Sequence, residues 1–243
     1  MIEPVRIAMW SGPRNISTAM MRSFENRPDT VVVDEPFYAA YLAHTGLDHP
    51  MREAVLASQP QDWREVASAM AGPAPGGRAV FYQKHMTHHM FEGVGLGWTE
   101  RCRSAFLIRD PAAVLASYTV KRAEVTLADI GVVRQRELFD READRLGCAP
   151  PVVEGRDVLA DPSRVLGALC EALGIAYLPE MLAWPAGRRD TDGVWAPAWY
   201  DAVERSTGFE RPGEAREIRL PDDLRRIADQ ARPHYEALAA HTL

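Results

Sequence analysis

The sequence predicts an α/β fold in which a central parallel sheet of about five strands is flanked by helices on both faces. Short β-branched apolar runs alternate with longer stretches of helical periodicity, which is typical of a parallel sheet covered by helices. At 243 residues, 47% of them hydrophobic, the chain is long enough to bury one such core. We therefore expect one domain over 1–243, with its core in 1–184.

The expected strands are runs rich in β-branched and aromatic residues, as is usual for strands buried on both faces. Four runs are clear, and the last one along the chain is weaker. The runs cover residues 5–10, 30–33, 79–83, 104–108 and 151–154.

Helical periodicity fills the intervals between the strands. Apolar residues fall on one side of a helix over 17–24 and repeat at three and four positions through 51–70. The Asp-Pro pairs at 110–111 and 161–162 each join a capping side chain to a proline that fits the first helical turn. The second of these helices should end at Gly174.

The region after residue 184 is expected to differ from the core. Residues 184–197 lack periodicity and should form either a mobile loop or a segment that closes over a ligand. A last helix is expected over 221–240. Within 185–243 we therefore expect a terminal helix, preceded by either a loop or a flap that closes over a ligand.

The composition argues against several classes of protein. A net charge of −6, from 34 acidic and 28 basic residues, lacks the basic surplus of a general nucleic-acid or membrane-surface binder. The three cysteines are widely spaced, so we expect reduced thiols and neither a disulfide framework nor a zinc site. We expect no signal peptide and no membrane span, which would need ~20 apolar residues, and hence a cytoplasmic protein.

The first predicted strand leads into a turn with the outline of a phosphate-binding loop. The segment reads WSGPRNISTAMM over 10–21, and the amides and dipole of a helix N-terminus favour an anion. The Gly-Lys pair of an ATP or GTP loop is missing, and an arginine supplies the cation instead. An ordinary turn with a hydroxyl residue as N-cap explains the same pattern. The candidate anion-binding residues are Gly12, Pro13, Arg14, Asn15, Ser17 and Thr18.

A second anion site is expected at the end of the fourth predicted strand. Arg109 ends that strand, and Ser117 follows on the next helix. Ligands of parallel sheets gather at the carboxyl edge, so Arg109 should face the same crevice as the first loop. Two separated anion sites suit a nucleotide with phosphates at both the 5′ and the 3′ positions of its ribose.

These motifs resemble those of the sulfotransferases that use 3′-phosphoadenosine 5′-phosphosulfate (PAPS) as donor, bacterial members included. Arg14 with Ser17 and Thr18 is similar to the family's 5′-phosphosulfate loop. Arg109 and Ser117, in an Arg-Asp-Pro context, are similar to its 3′-phosphate pair. These two matches, in this order along the chain, carry the resemblance.

A longer stretch, EGRDVLADPSRVLGALCEALGIAYLPEMLAW over 154–184, also looks like this family. The resemblance implies a P-loop-like fold of sulfotransferase type. It implies transfer of a sulfuryl group from PAPS to a hydroxyl or amine of a small-molecule acceptor, with adenosine 3′,5′-bisphosphate as product. It implies no required metal, because basic side chains neutralise the charge that develops.

The resemblance also implies the groups that carry the transfer. Arg14 and Lys84 would stabilise charge on the leaving phosphate. Many family members have a Lys-x-His after the third strand, whereas here Met86 stands two positions after Lys84. His85 and His88 are alternative bases, since an imidazole titrates near neutral pH, and each also suits a packing or capping role.

Two further sets of residues are candidates. Glu35 follows the second predicted strand, where some similar bacterial sulfotransferases use a Glu, and burial would raise its pKa; a turn held by Pro36 is the alternative. Beyond residue 184, Arg188 and Arg189 have the chemistry to bind phosphate, and Trp195 that to stack on adenine. A solvated loop explains these last residues equally well.

Two other functions stay open at this point. An ATP-dependent small-molecule kinase would use the same loop with Asp34 on magnesium, although Ile16 stands where it needs a lysine. A protein of this fold that binds a nucleotide without catalysis is the second, because the segment after Lys84 departs from the family pattern.

Overall fold

The sheet at the centre of the molecule contains five parallel strands in the order β2-β3-β1-β4-β5. The computed structural model describes residues 3–119, 124–211, 213 and 218–243. The strands are β1 (Val5–Ser11), β2 (Thr30–Asp34), β3 (Val80–Met86), β4 (Arg103–Ile108) and β5 (Val152–Glu154). All five predicted strands are confirmed, and the fold is the expected single α/β domain.

Strand β3 runs three residues further than its apolar pattern predicts. Its last residues stay paired with β1, with Met9 opposite Lys84 and Ser11 opposite Met86. The prediction ended this strand at Gln83 because polar residues follow, but those residues are buried too. The longer strand carries Lys84 to the carboxyl edge of the sheet.

Helices cover both faces of the sheet. The described helices are α1 (Ser17–Glu25), α2 (Tyr38–Thr45), α3 (Arg52–Ser58), α4 (Trp63–Ala71), α5 (Pro111–Tyr118), α6 (Val132–Leu146), α7 (Gly155–Ala160), α8 (Pro162–Ala172), α9 (Ala196–Trp199), α10 (Asp201–Arg205) and α11 (Asp222–Ala239).

The helical periodicity predicted over 51–70 belongs to two helices, α3 and α4, that are separated by a short break. Gln59 is extended, with φ −138° and ψ 157°, as is favoured for a residue that precedes a proline. Asp62 then caps α4 by accepting a hydrogen bond from the Arg64 amide at 2.9 Å. The predicted caps at Asp110 and Asp161 are confirmed, since each side chain accepts from amides of its own helix.

Two apolar clusters sandwich the sheet, because alternate residues of each strand point to opposite faces. Ile7 and Met9 of β1 join one cluster, which includes apolar residues of α1 and α8. Ala8 and Trp10 join the other, which includes residues of α4, α6 and α11. None of the helices in the described ranges is long and apolar enough to cross a membrane.

Candidate active site

A cavity of about 450 Å³ lies at the carboxyl edge of the sheet, where the segments after β1, β2, β3 and β4 meet. This is the edge at which parallel α/β sheets bind their ligands, and the volume suits a small-molecule ligand. The described residues that line it from these segments include Arg14, Ser17, Thr18, Glu35, Lys84, Met86, Arg109 and Ser117.

The loop after β1 has a strained and specific shape. Arg14 has φ +54°, a left-handed conformation that is uncommon for a residue with a side chain. Asn15 fixes the loop through its side chain. The side-chain amide nitrogen donates to the Leu107 carbonyl at 3.1 Å, and the side-chain oxygen accepts from the Ile16 backbone amide at 2.9 Å. A Cβ at Gly12 would lie 2.6 Å from the Ile130 carbonyl oxygen, so only glycine fits there.

The start of helix α1 is open towards the cavity. Its N-cap residue is Ile16, and no side chain caps it. The alternative of an ordinary turn capped by Ser17 or Thr18 is therefore wrong. Both hydroxyl residues line the cavity, together with Pro13 and Asn15, so helix amides and hydroxyls are available there to an anion.

The structure brings the two predicted anion sites together. The Arg14 Nε donates to the Ser117 Oγ at 3.1 Å, and the Arg109 guanidinium donates to the Arg14 carbonyl. Burial lowers the pKa of both guanidinium groups, and their mutual repulsion lowers that of Arg109 further. Their hydrogen bonds within the described ranges go to neutral groups, so an anion would relieve an unfavourable concentration of positive charge.

Lys84 lies in a buried cluster at the other end of the cavity. Its Nζ donates to Asp34 Oδ1 at 2.8 Å, to Glu35 Oε1 at 2.8 Å and to Tyr200 Oη at 2.7 Å. We call these four residues the Lys84 cluster. An ammonium group has three hydrogens, so the cluster uses every hydrogen-bond donor of Lys84.

Burial changes the proton affinities of this cluster. Burial raises the pKa of the Glu35 carboxyl, and the nearby Lys84 ammonium offsets only part of that rise. Burial alone would lower the pKa of Lys84, but Asp34 and Glu35 outweigh it and hold that pKa well above its ordinary value. Lys84 is therefore a permanent cation, whereas Glu35 is a stronger base than an ordinary glutamate.

A family model described as a sulfotransferase domain matches residues 5–242 of the chain. This chain belongs to the sulfotransferase family. Its fold is shared with solved sulfotransferases of low sequence identity, including one from Alicyclobacillus acidocaldarius, with a TM-score of 0.59 and 14% identity over 100% of this chain and 98% of that one. The sulfotransferase domain from the curacin biosynthetic pathway has a TM-score of 0.58 and 18% identity over 96% of this chain and 99% of that one.

A mouse sulfotransferase complexed with PAP has a TM-score of 0.53 and 12% identity, over 99% of this chain and 91% of that one. Among curated sequences, branched-chain-amino-acid aminotransferase-like protein 1 of Arabidopsis thaliana is 33% identical over 241 residues, which are 99% of this chain and 43% of that protein. Protein 2 of the same description is 31% identical over 97% of this chain and 41% of its own length. The sulfotransferase-family chain thus spans less than half of these relatives.

The three histidines after Lys84 occupy different environments in this chain. His85 is buried on the opposite face of β3, stacked on Trp10 at a centroid distance of 4.7 Å and near Trp98 at 5.0 Å. Burial lowers the pKa of His85 to about 3, and the residue does not line the cavity. This placement does not fit the predicted role of His85 as catalytic base.

His88 and His89 both line the cavity. The His88 ring lies 5.5 Å from that of Tyr41 in an edge-on arrangement, and His89 stacks on Tyr38 at 4.6 Å. Burial lowers the pKa of His89 well below its ordinary value, so that imidazole is neutral. The structure therefore brings two of the predicted bases, Glu35 and His88, to the cavity.

The structure does not bring Arg188 and Arg189 to the cavity, contrary to prediction. Arg188 is exposed, and the Arg189 guanidinium donates to the nearby Pro185 carbonyl at 3.4 Å. Their part of the chain is held by a buried ion pair instead, between Arg22 Nη2 and Asp192 Oδ2 at 2.6 Å. Neither arginine lines the cavity, whereas Arg211, further along the chain, does.

The segment over 187–200 contacts the Lys84 cluster. The Gly193 amide donates to Asp34 Oδ2 at 3.1 Å, and the Trp195 indole donates to Tyr200 Oη at 3.0 Å. Trp195 is buried and lines the cavity. Sequence reasoning missed Tyr200, His49, His89 and Arg211, all of which line the cavity.

Asp34 is fully engaged within the protein. One carboxylate oxygen accepts from Lys84, and the other accepts from Tyr200 at 2.7 Å and from the Gly193 amide. A magnesium-binding acid needs oxygens that face the ligand, so this arrangement does not match the role that a kinase would give Asp34.

Proposed function

We propose that this chain transfers a sulfuryl group from PAPS to a hydroxyl or amine of a small-molecule acceptor. The observation that carries the proposal is the 3.1 Å contact between Arg14 and Ser117, which joins the two anion-binding motifs at one edge of a sulfotransferase domain. The solved mouse relative of this fold holds PAP, the bisphosphate that PAPS leaves after transfer.

The proposed nucleotide end of the cavity is formed by Arg14, Ser17, Thr18, Arg109 and Ser117. The first three, with the amides that begin α1, would bind the 5′-phosphosulfate. Arg109 and Ser117 would bind the 3′-phosphate. Arg211 takes over the role that the sequence assigned to Arg188 and Arg189, because it supplies a cation to the cavity from the chain beyond residue 184.

The transfer requires one new bond and one broken bond at sulfur. The acceptor oxygen or nitrogen attacks the sulfur, the bond from sulfur to the bridging phosphate oxygen breaks, and the acceptor proton passes to a base. Arg14 would stabilise charge on the leaving phosphate, since it starts from the loop that holds the 5′ end. Glu35 is the base that we propose, because burial raises its pKa and its carboxylate faces the cavity. His88 is the second candidate.

The backbone holds Glu35 in place at the cavity. Its φ is +41°, and its amide donates to the Lys84 carbonyl at 3.0 Å while its own carbonyl accepts from Gln59 at 3.1 Å. A strained residue that its surroundings hold on both sides is typical of functional sites. These contacts support Glu35 over an ordinary strand-ending turn.

The test begins with binding by the full chain. Thermal shift is measured with adenosine 3′,5′-bisphosphate and, separately, with ATP plus magnesium. We expect the bisphosphate to stabilise the protein by about 2.7 kcal/mol at a hundred times its Kd, and ATP to act weakly. Stabilisation by ATP with no response to the bisphosphate would favour the kinase.

Catalysis is tested next, with PAPS labelled in its sulfuryl group and pools of hydroxyl and amine compounds. Transfer of label to one pool, lost in Glu35→Gln, supports both the reaction and the base. Loss of transfer in His88→Gln but not in Glu35→Gln would assign the base to His88. Binding of the bisphosphate without transfer to any pool would favour a protein that binds the nucleotide without catalysis.

A further inference from the structure

We propose that Tyr200 is a positioning residue for this reaction, whose phenol holds Lys84 and Asp34 so that the Glu35 carboxylate stays at the cavity as base. The inference rests on the proposed function and extends it to the 187–200 segment. Tyr200 lies 116 positions after Lys84 in the chain and reaches it only through the fold.

The Tyr200 hydroxyl makes a complete set of hydrogen bonds. It donates its one hydrogen to Asp34 Oδ2 at 2.7 Å and accepts from Lys84 Nζ at 2.7 Å and from the Trp195 indole at 3.0 Å. A phenol has one hydrogen and two lone pairs, so this geometry allows no other assignment. The residue is 5% exposed, and water therefore competes little for these bonds.

Tyr200 sets the direction of the Lys84 ammonium. Two hydrogens of Lys84 go to the carboxylates, and the third goes to Tyr200. Loss of the hydroxyl releases that hydrogen, and the ammonium can then turn away from Glu35. Because Lys84 in this arrangement has no donor left for the sulfuryl donor, it acts on the reaction through Glu35.

The charges around Glu35 explain why its position matters. Asp34 on β2, Lys84 on β3 and Tyr200 on the 187–200 segment all face it, and His88 and His89 stand on the same cavity wall. The cluster holds two carboxylates and one ammonium, so the Glu35 charge is incompletely balanced. Burial raises the pKa of Glu35, and the charge and hydrogen bond of Lys84 oppose that rise.

The experiment compares Tyr200→Phe with a matched control, Tyr177→Phe. The Tyr177 hydroxyl bonds to Ser163 Oγ at 3.1 Å, away from the cavity, so that variant also loses a single phenol contact. We measure kcat, the KM for PAPS and the pH dependence of kcat. Tyr200→Phe should lower kcat by roughly 10- to 100-fold, part of what a general base contributes, with an unchanged KM.

The pH dependence distinguishes positioning from general support. The acidic limb of the kcat profile should move to higher pH in Tyr200→Phe, because a Lys84 ammonium released from Tyr200 can turn away from Glu35 and then favours its charged form less. Tyr177→Phe should keep the profile of the starting protein. An unchanged profile and kcat in Tyr200→Phe would overturn the proposal.

A double variant tests whether Tyr200 acts through Glu35. In a Glu35→Gln background, Tyr200→Phe should cause no further loss of kcat, since coupled residues are not additive. An equal loss in both backgrounds would overturn the inference while leaving sulfuryl transfer intact. An absence of transfer by the starting protein would instead remove the proposed function.

A second variant covers the case in which Tyr200→Phe does not fold, as judged by loss of its cooperative thermal unfolding transition. Trp195→Phe keeps the Tyr200 hydroxyl but removes the indole that bonds to it. We expect a smaller fall in kcat and a shift of the acidic limb in the same direction. A kcat equal to that of the starting protein would count against the proposal.

Discussion

The two ends of the cavity carry positive charge in opposite ways. At the nucleotide end, Arg14 and Arg109 bond to a hydroxyl and a carbonyl, and their charges are left for a ligand to balance. At the other end, Lys84 donates all three of its ammonium hydrogens to groups of the protein. Under the proposed function, the first arrangement leaves a buried cation to bind an anion, and the second uses a buried cation to arrange a neighbouring acid.

The largest expected effect is a difference in folding free energy between variants at the two ends of the cavity. Lys84→Met removes the cation between two buried carboxylates, and breaking a buried ion pair in this way costs about 3–5 kcal/mol of folding free energy. Arg109→Met removes a cation that forms no ion pair within the described ranges and feels the Glu154 and Asp110 charges only from further away, so we expect a change below about 1 kcal/mol. Denaturant unfolding of both variants without ligand measures the difference, and equal losses would break the comparison.

Ligand affinity should show the reverse order. Arg109→Ala should weaken binding of adenosine 3′,5′-bisphosphate by more than about 1.5 kcal/mol, or over tenfold. Arg188→Ala is the matched control, because Arg188 is exposed and lies outside the cavity. Calorimetric titration measures both. An affinity for Arg109→Ala equal to that of the control would remove Arg109 from the nucleotide end.

A smaller effect is expected from the hydroxyl that links the two anion motifs. Ser117→Ala removes the acceptor of the Arg14 Nε bond and should weaken bisphosphate binding by about 1 kcal/mol. Ser163→Ala is its control, since the Ser163 hydroxyl bonds only to Tyr177 among the described residues. The same titration applies, and a loss as large as that in Arg109→Ala would show that Ser117 does more than orient Arg14.

The smallest effect concerns stability at the Lys84 cluster. The folded pKa of Glu35 is raised, so its contribution to stability is present below the unfolded pKa of about 4.3 and is lost as pH rises through the folded pKa. Glu35→Gln has no carboxyl group that ionises, so it avoids this loss of stability and should unfold at the same or a higher temperature at neutral pH. Glu53→Gln, at an exposed helix position, is the control. A lower unfolding temperature for Glu35→Gln alone would contradict the sign.

The sequence predicted the sheet well, because β-branched runs and Asp-Pro caps are local signals. It predicted helical periodicity through 51–70 but not the division into α3 and α4, which Pro60 indicates. A second signal, the alternation of residues along the end of β3, was missed because the predicted strand ended at Gln83. A strand that continues to Met86 places Lys84 and His85 on opposite faces, and alternation alone then assigns one to the cavity and the other to the core.

The cluster around Lys84 lay beyond sequence reasoning for a different reason. Tyr200 has no motif around it, and its contact with Lys84 spans 116 positions. Arg188 and Arg189 carried the right charge but do not line the cavity, and the nearby Asp192 forms a buried pair with Arg22. Residue type alone therefore indicated the chemistry of this region but not which arginine reaches the ligand.

The docking of the 187–200 segment also determines when the site can exist during synthesis of the protein. Asp34, Glu35 and Lys84 leave the ribosome long before Tyr200, and Arg22 long before Asp192. Until the later residues emerge, these early charged side chains cannot make their contacts with Tyr200 and Asp192. A chain still growing through the first four strands thus lacks these contacts, and the surroundings of the proposed base Glu35 are completed only when the 187–200 segment has been made.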